Sequence, residues 1–417
     1  ASDVYKRQSQ STPVPPVSGQ SLSRHLSGGY YVFLILYLVL MSAFGSFVND
    51  MYIPSLPEMV RSFHTDTSTV QLGLTFGMLG LAIGELFLGP LSDKYGRKPI
   101  LVIALVVFCV GAVCSIWSKT IHEFIWWRLV QGFGASGGYF LARTIPADLY
   151  QGRALAKVMA LVGAINGFAP ASAPVLGGLM AKAVGWRGIF WTLAGFSVLL
   201  LILSPALKES LPKSKRESVK LKQAFGNFGV LIKNNKFVMY TLMKGTALGI
   251  LFAYIASAPF IIQDHYGYTQ LQFGLFMGFN ALFVACGSML ALKFNPLIKA
   301  AKVGAIALTG VVAIQFACFY LKDNIWVYEG LNLPMLLCLG MMFTTGNTLA
   351  MNEGRECAGD ASALVGIAGY IFGAVVSPLV GLKDIYHSTA ITIGILAILV
   401  LVSTLLSVKL TNSENQK

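Results

Sequence analysis

The 417-residue sequence predicts an all-α membrane protein, with twelve transmembrane helices in two six-helix bundles. Three observations carry that prediction. Only 12% of residues are charged and 55% are hydrophobic, with a mean hydropathy of +0.67; an average soluble domain carries about 25% charge. Charge-poor apolar stretches of the roughly 20-residue length that crosses a bilayer recur along the chain. A polar, basic connector then falls between the first six stretches and the last six.

In chain order, residues 1–29 form a Ser-, Pro-, Gly- and Gln-rich tail that composition marks as disordered. Spans one to six are expected at about 30–56, 70–90, 99–117, 122–142, 155–181 and 188–206, making an N-terminal bundle over 30–206. The connector occupies 207–236. Spans seven to twelve are expected near 237–262, 268–292, 299–321, 330–352, 360–382 and 386–408. They make a second bundle over 237–409, followed by a short tail over 410–417.

The net charge of +13 is placed in connections rather than in a nucleic-acid-binding face. Lys208, Lys213, Lys215, Arg216, Lys220, Lys222, Lys233 and Lys236 in the connector stand against Glu209 and Glu217. Basic connections mark the cytoplasmic side of a membrane, so both termini and the connector are expected there. Residues 93–98, 143–157 and 293–302 fall on the same side. Cys109, Cys114, Cys286, Cys318, Cys338 and Cys357 lack metal-ligand spacing and read as membrane-helix packing. No metal or cofactor is expected, and no GxxxxGK[ST] phosphate loop of an ATP-driven pump is present.

The halves echo each other. Span two opens with QLGLTFG (71–77) and span eight with QFGLFMG (272–278). Internal duplication of this kind builds many secondary transporters, with the substrate site where the repeats meet.

The segment GPLSDKYGRK (89–98) joins spans two and three and places Gly89, Asp93, Gly96, Arg97 and Lys98 at the cytoplasmic surface. Gly89 would permit close helix approach. Asp93 would accept from N–H groups at a helix start or pair with an arginine. This segment resembles the span two–three signature of the major facilitator superfamily. RLVQGFGASGG (128–138) resembles its fourth-span signature, and GWRGIFW (185–191) its entry to span six. NGFAPASAPVLGG (166–178) is similar to the fifth-span signature of its antiporters, with Pro174, Gly177 and Gly178 in place and Ala173 where glycine is commoner. NDMYIPSLP (49–57) and GDASALVGIAGYIFGAVVSPLVG (359–381) look like the twelve-span drug:proton antiporters of the Bcr/CflA type.

That resemblance, over roughly residues 40–400, implies the major facilitator fold, alternating access and a bacterial inner-membrane location. It also implies proton-coupled efflux of small drugs by a monomer whose partners are drug, protons and bilayer. A multidrug transporter of that group carries a second acidic residue two helical turns before its first-span aspartate. This chain has Ser42 there, so the group's substrate range is not carried over.

Charge at membrane depth faces a protein interior or a water-filled cavity and marks function. Asp50, late in span one, and Arg128, early in span four, should lie at similar depth in one bundle. They are the expected proton-coupling pair, with a static ion pair as the alternative. Gating is assigned to residues 89–98 and to Pro174, Gly177 and Gly178 at the bundle interface. Tyr139, Asn166, Tyr254, Asn280 and Tyr370 are cavity candidates, each with a packing or anchoring alternative. Glu85 reads as a network carboxylate and Lys244 as a side chain reaching the cytoplasmic face. The other readings are a metabolite transporter of the same fold, a membrane enzyme and a receptor. Short polar loops and five histidines disfavour the enzyme, and the receptor leaves Asp50 and Arg128 unexplained.

Overall fold

The computed structural model describes residues 28–216, 228–321 and 324–415. Within them the chain is helical almost throughout. In order come α1 (Gly28–Asp50), α2 (Thr67–Tyr95), α3 (Arg97–Trp117) and α4 (Ile121–Leu149). A 52-residue helix, Gly152–Leu203, is broken at Gly185 (φ 65°, ψ −178°) into α5 (152–184) and α6 (186–203). The second half holds α7 (Asn235–Pro259), α8 (Gln270–Ala291), α9 (Leu297–Leu321), α10 (Ile325–Glu353), α11 (Ala358–Leu379) and α12 (Ile385–Asn415). These are twelve long helices among the described residues, and ten helical segments, with the broken 152–203 helix inside one of them, are long and apolar enough to cross a membrane.

Local chemistry sets the boundaries. After α1 the chain turns through Ile53–Ser55 and a short helix, Leu56–Phe63, with Pro54 and Pro57 in first turns where a missing N–H is tolerated. Asp66 starts α2 by accepting from the Thr69 N–H at 2.8 Å. Thr269 and Gln272 form a capping box at α8. Asn324 caps α10 through the Trp326 N–H at 3.2 Å.

Several boundaries differ from the sequence reading. The helix α4 runs to Leu149, so Arg143 belongs to the helix and the α4–α5 connection is only Tyr150 and Gln151. The helix α10 starts at Ile325 rather than 330, because Asn324 is a cap within a polar stretch that composition alone reads as loop. The helix α12 carries on to Asn415, so most of the expected 410–417 tail is helical. Connector residues 217–227 and tail residues 1–27 lie outside the described residues.

Hydrogen bonds joining the two halves gather where α1 turns into α2. Ser68 Oγ donates to the Pro378 carbonyl at 2.9 Å, Gln71 Nε2 to Ala256 at 2.9 Å and Thr75 Oγ1 to Ala374 at 2.7 Å. Gln263 Nε2 reaches the Pro54 carbonyl at 3.0 Å and Gln270 Nε2 reaches Glu58 at 3.2 Å. Arg61 and Asp264 close the rim at 3.2 Å. The halves are sealed together at that end.

Candidate functional site

The site begins with Arg128 in α4, which is fully buried. An isolated charge in such a place is costly unless its donors are satisfied. Its Nε donates to the Gly73 carbonyl at 3.3 Å and its Nη1 to the Val48 carbonyl at 3.3 Å and to Gln131 Oε1. Its Nη2 donates to Asn49 Oδ1 at 3.4 Å. The guanidinium carbon lies 4.4 Å from the Tyr52 ring centroid and 5.7 Å from that of Phe190, a cation–π setting. Gly77 makes room for it, since a Cβ there would stand 2.9 Å from Nη2. One planar fork thus ties α1, α2 and α4 together.

Asp50, the last residue of α1, is half-buried. Among the described residues Arg128 makes no ion pair with it; the guanidinium is held by Val48 and Asn49, the two residues just before it. Tyr52 lies within electrostatic reach of both charges. Arg128 therefore fixes the end of α1 that presents the carboxylate, and the direct pair expected from equal depth does not form.

The Pro/Gly stretch of α5 lies against that same end. A Cβ on Gly177 would collide with the Met51 carbonyl, and one on Gly178 with the Gln270 carbonyl of α8. The Pro174 carbonyl faces Gly274 of α8. Pro174, Gly177 and Gly178 thus sit where α5 meets both α1 and the other half.

Further from the sealed end is a charged group drawn from both halves. Glu85 of α2 pairs with Arg143 of α4 at 3.5 Å, and Arg143 lies 4.3 Å above the Tyr139 ring. Lys244 of α7 donates to Asn347 Oδ1 at 2.8 Å and is within electrostatic reach of Glu85 and Arg143. Tyr370 of α11 is within reach of Glu85, Tyr139, Arg143 and Asp50. Tyr370 thus lies within reach of both the Glu85–Arg143–Tyr139 group and Asp50. Lys244 is bonded to the exposed Asn347, and Arg143, expected in a loop, joins this group from α4. The side chain of Asn166 lies outside the described residues.

Tyr254 and Asn280 are drawn elsewhere. Asn280 Nδ2 donates to the Tyr254 hydroxyl at 2.6 Å and to Glu329 Oε2 at 2.8 Å. All three are buried inside the second half, where Gln315 also donates to Asn332 at 2.7 Å. Glu329 falls just outside the expected span ten, which starts near 330, and lies within α10.

At the α2–α3 turn, Arg97 pairs with Asp93 at 2.5 Å and Asp148 at 2.9 Å. The N–H groups of Arg97 and Lys98 donate to Glu209, at 2.8 Å and 3.2 Å. The acid at the start of α3 is therefore Glu209, from the connector, and Asp93 takes the arginine. Gly96, at φ 104°, clears the way: a Cβ there would lie 2.5 Å from Glu209 Oε2. Lys98 Nζ donates to the Pro205 carbonyl at 2.9 Å. A Cβ on Gly89 would meet nothing within 4 Å, so close helix approach does not explain that residue. Among the described residues no cluster of three His, Cys, Asp or Glu side chains is arranged to hold a metal.

Residues 38–378 match the family model described as Major Facilitator Superfamily. The chain is 34% identical over 375 residues to the uncharacterised MFS-type transporter YdgK of Bacillus subtilis, covering 87% of this chain and 90% of that one. It is 29% identical over 360 residues to a bicyclomycin resistance protein homologue of Haemophilus influenzae, covering 83% and 88%. It is 30% identical over 227 residues to a chloramphenicol resistance protein of Pseudomonas aeruginosa, covering 54% and 53%. Among solved structures, an inward-facing, unoccupied bacterial homologue of the human lysosomal transporter Spinster superposes with a TM-score of 0.74 at 14% identity, covering 92% of this chain and 98% of that one. The Escherichia coli xylose transporter XylE, partially occluded and inward open, gives 0.71 at 16%, covering 91% and 98%.

Proposed function

This chain belongs to the Major Facilitator Superfamily, and from that premise we propose that it exports small drugs from a bacterial cell in exchange for protons. Its fold and family are those of transporters. The reading takes it as a Bcr/CflA-type drug:proton antiporter of the inner membrane, with both termini and the connector cytoplasmic. Relatives named for bicyclomycin, chloramphenicol and multidrug resistance support the substrate class.

The observation that carries the mechanism is the arrangement around Asp50. It is a half-buried carboxylate with no ion-pair partner among the described residues, on a helix end held by a fully buried arginine. A carboxylate so placed takes up a proton when water reaches it from the acidic side. It gives the proton up when the site faces the cytoplasm and a polar or cationic drug competes for the same oxygens. Arg128 holds Asp50 in register through Val48 and Asn49 instead of neutralising it.

Gating follows from the same geometry. In the proposed topology the sealed end is the outer one, so the state described is inward-facing. Opening it means parting Ser68, Gln71 and Thr75 from the second half and sliding α5 on α8 at Gly178. The Arg97–Asp93–Asp148 cluster with Glu209 holds the α2–α3 turn on the cytoplasmic side. Glu85, Arg143, Lys244, Tyr139 and Tyr370 supply a polar wall where the halves face each other. Alternating access through such repeat halves is the general mode of these folds.

The test is transport by purified protein in proteoliposomes with an imposed pH gradient, against chloramphenicol, bicyclomycin and cationic dyes. Drug movement opposite to the proton gradient, abolished by a protonophore, is expected. Drug movement indifferent to the gradient overturns the antiport reading, and gradient-driven uptake of a metabolite in place of drugs overturns the substrate class.

A further inference from the structure

The buried carboxylate of α10 lies outside the mechanism above, and the repeat shows where it comes from. Gln71 and Gln272 open the matching motifs of α2 and α8, 201 positions apart. The same offset carries Arg128 to Glu329 and Gln131 to Asn332. The slot that holds a buried cation in the first half therefore holds a buried carboxylate in the second, with an amide one turn on in each case. Tyr52 attends the arginine, and Tyr254 takes part in the glutamate's hydrogen-bond chain.

The two slots differ in how they are completed. Arg128 is surrounded by acceptors from three helices. Glu329, only 5% exposed, accepts from Asn280 through Oε2, while its Oε1 and the Asn280 Oδ1 have no partner. No cation pairs with it among the described residues. It lies instead against a cavity of about 480 Å³ between α8 and α10, within the roughly 300–1,000 Å³ of small-molecule sites. The walls are aromatic: Tyr268, Phe276, Phe279 and Trp326. Phe279 and Trp326 are 52% and 68% exposed, so the cavity opens on the apolar outer surface of the bundle. It lies toward the α7–α8 turn, which is the outer leaflet in the proposed topology.

We propose that this cavity is a binding site for lipophilic organic cations arriving from the bilayer, with the Glu329 carboxylate as their counter-charge. The aromatic ring faces attract the cation, and the Glu329 carboxylate, whose unpartnered Oε1 is buried in the wall, supplies the charge that a membrane interior otherwise lacks. A cation there meets an anion without having to displace a protein partner. The site is separate from the one around Asp50, and its standing does not depend on the direction or coupling of transport.

The probe is tetraphenylphosphonium, with neutral triphenylphosphine oxide as its uncharged counterpart, and binding is measured by calorimetry on the full chain in lipid nanodiscs. Asp50→Asn is the background, so that the carboxylate of α1 does not contribute. That protein should bind the cation saturably and at least tenfold more tightly than the neutral compound. Adding Glu329→Gln, which keeps the size and an acceptor for Asn280, should weaken cation binding at least tenfold and leave the neutral compound unchanged. Adding Gly330→Phe instead fills the cavity with Glu329 intact. A Cβ at Gly330 meets nothing within 4 Å, so this variant tests the site even where Glu329→Gln fails to fold, and it should abolish binding of the cation. Absence of saturable binding in the Asp50→Asn protein overturns the proposal. So does binding that survives either second substitution in a folded protein.

Discussion

Met51 and Gly177 are in such close apposition that the Met51 carbonyl, one residue beyond the end of α1, occupies the place of a Cβ on α5. The backbone next to Asp50 and the Pro/Gly stretch are therefore parts of one contact, through which sliding of α5 would reach Asp50. Gly177→Val must push α1 and α5 apart. Overpacking of this kind costs about 1–3 kcal/mol. Transport should fall at least tenfold while the protein still inserts and binds drug, and drug binding compared with turnover in the same preparation checks this.

Asp50→Asn removes the charge and keeps the shape. In the proposed antiport, drug efflux driven by a pH gradient should disappear, while exchange of labelled for unlabelled drug across the membrane persists. Counterflow in proteoliposomes separates the two. Retention of gradient-driven efflux by a folded Asp50→Asn protein would reduce the carboxylate to a structural part.

Arg128 makes a different prediction, because its role is to hold. Lysine has the charge without the planar fork, so Arg128→Lys leaves several of the Gly73, Val48, Asn49 and Gln131 acceptors without a donor. Each buried group so stranded costs about 1–3 kcal/mol. A lowered melting temperature together with lost coupling is expected. A coupling defect at unchanged melting temperature would instead make Arg128 a direct participant in proton exchange.

The difference between Asp50 and Arg128 also shows what a single sequence conveys. Apolar length marks ten segments able to cross a membrane, with α4 not among them, and the motifs of spans two to six are legible because their glycines and charges have fixed spacing. Depth is legible as well, since Arg128 does reach the level of Asp50. What hydropathy does not encode is rotation about a helix axis. That rotation decided that Arg128 meets Asn49 and not Asp50, that Lys244 bonds Asn347, and that Tyr254 and Asn280 join Glu329. Arg143 and Glu329 are hidden for a simpler reason: charge near a span's end has the composition of a loop. The 201-residue offset of QLGLTFG and QFGLFMG, extended to Arg128, would have found Glu329.

The start of α3 depends on a residue from beyond α6. Glu209 accepts from the Arg97 and Lys98 N–H groups and pairs with Arg216 at 3.5 Å, which ties the connector to the α2–α3 turn. A carboxylate at a helix N-terminus contributes about 0.3–1 kcal/mol at the surface and up to about 2 when partly buried. Glu209→Gln should lower stability within that range, and Glu209→Lys by more. Limited proteolysis of the connector should speed up in both. An unchanged cleavage rate would show that the connector is held by other contacts.

At the opposite face Asp66 offers a pH test outside the membrane. The Thr69 hydroxyl, at 2.6 Å, and the Thr69 N–H favour its ionised form and hold its carboxyl below the usual range. A folded-state pKa below the unfolded one means that the cap's contribution is present above the unfolded value, near 4. It is lost as pH falls through the folded value. Asp66→Ala should cost about 0.5–2 kcal/mol at pH 7, and the gap to the unsubstituted protein should close on acidification below pH 4. Asp66→Asn retains an acceptor for the Thr69 N–H, so it should keep part of the cap without that pH dependence. Thermal melting of the three proteins at pH 7 and near pH 3 decides the matter: a gap for Asp66→Ala that stays constant between the two would show that the hydrogen-bond geometry, and not the charge, starts α2.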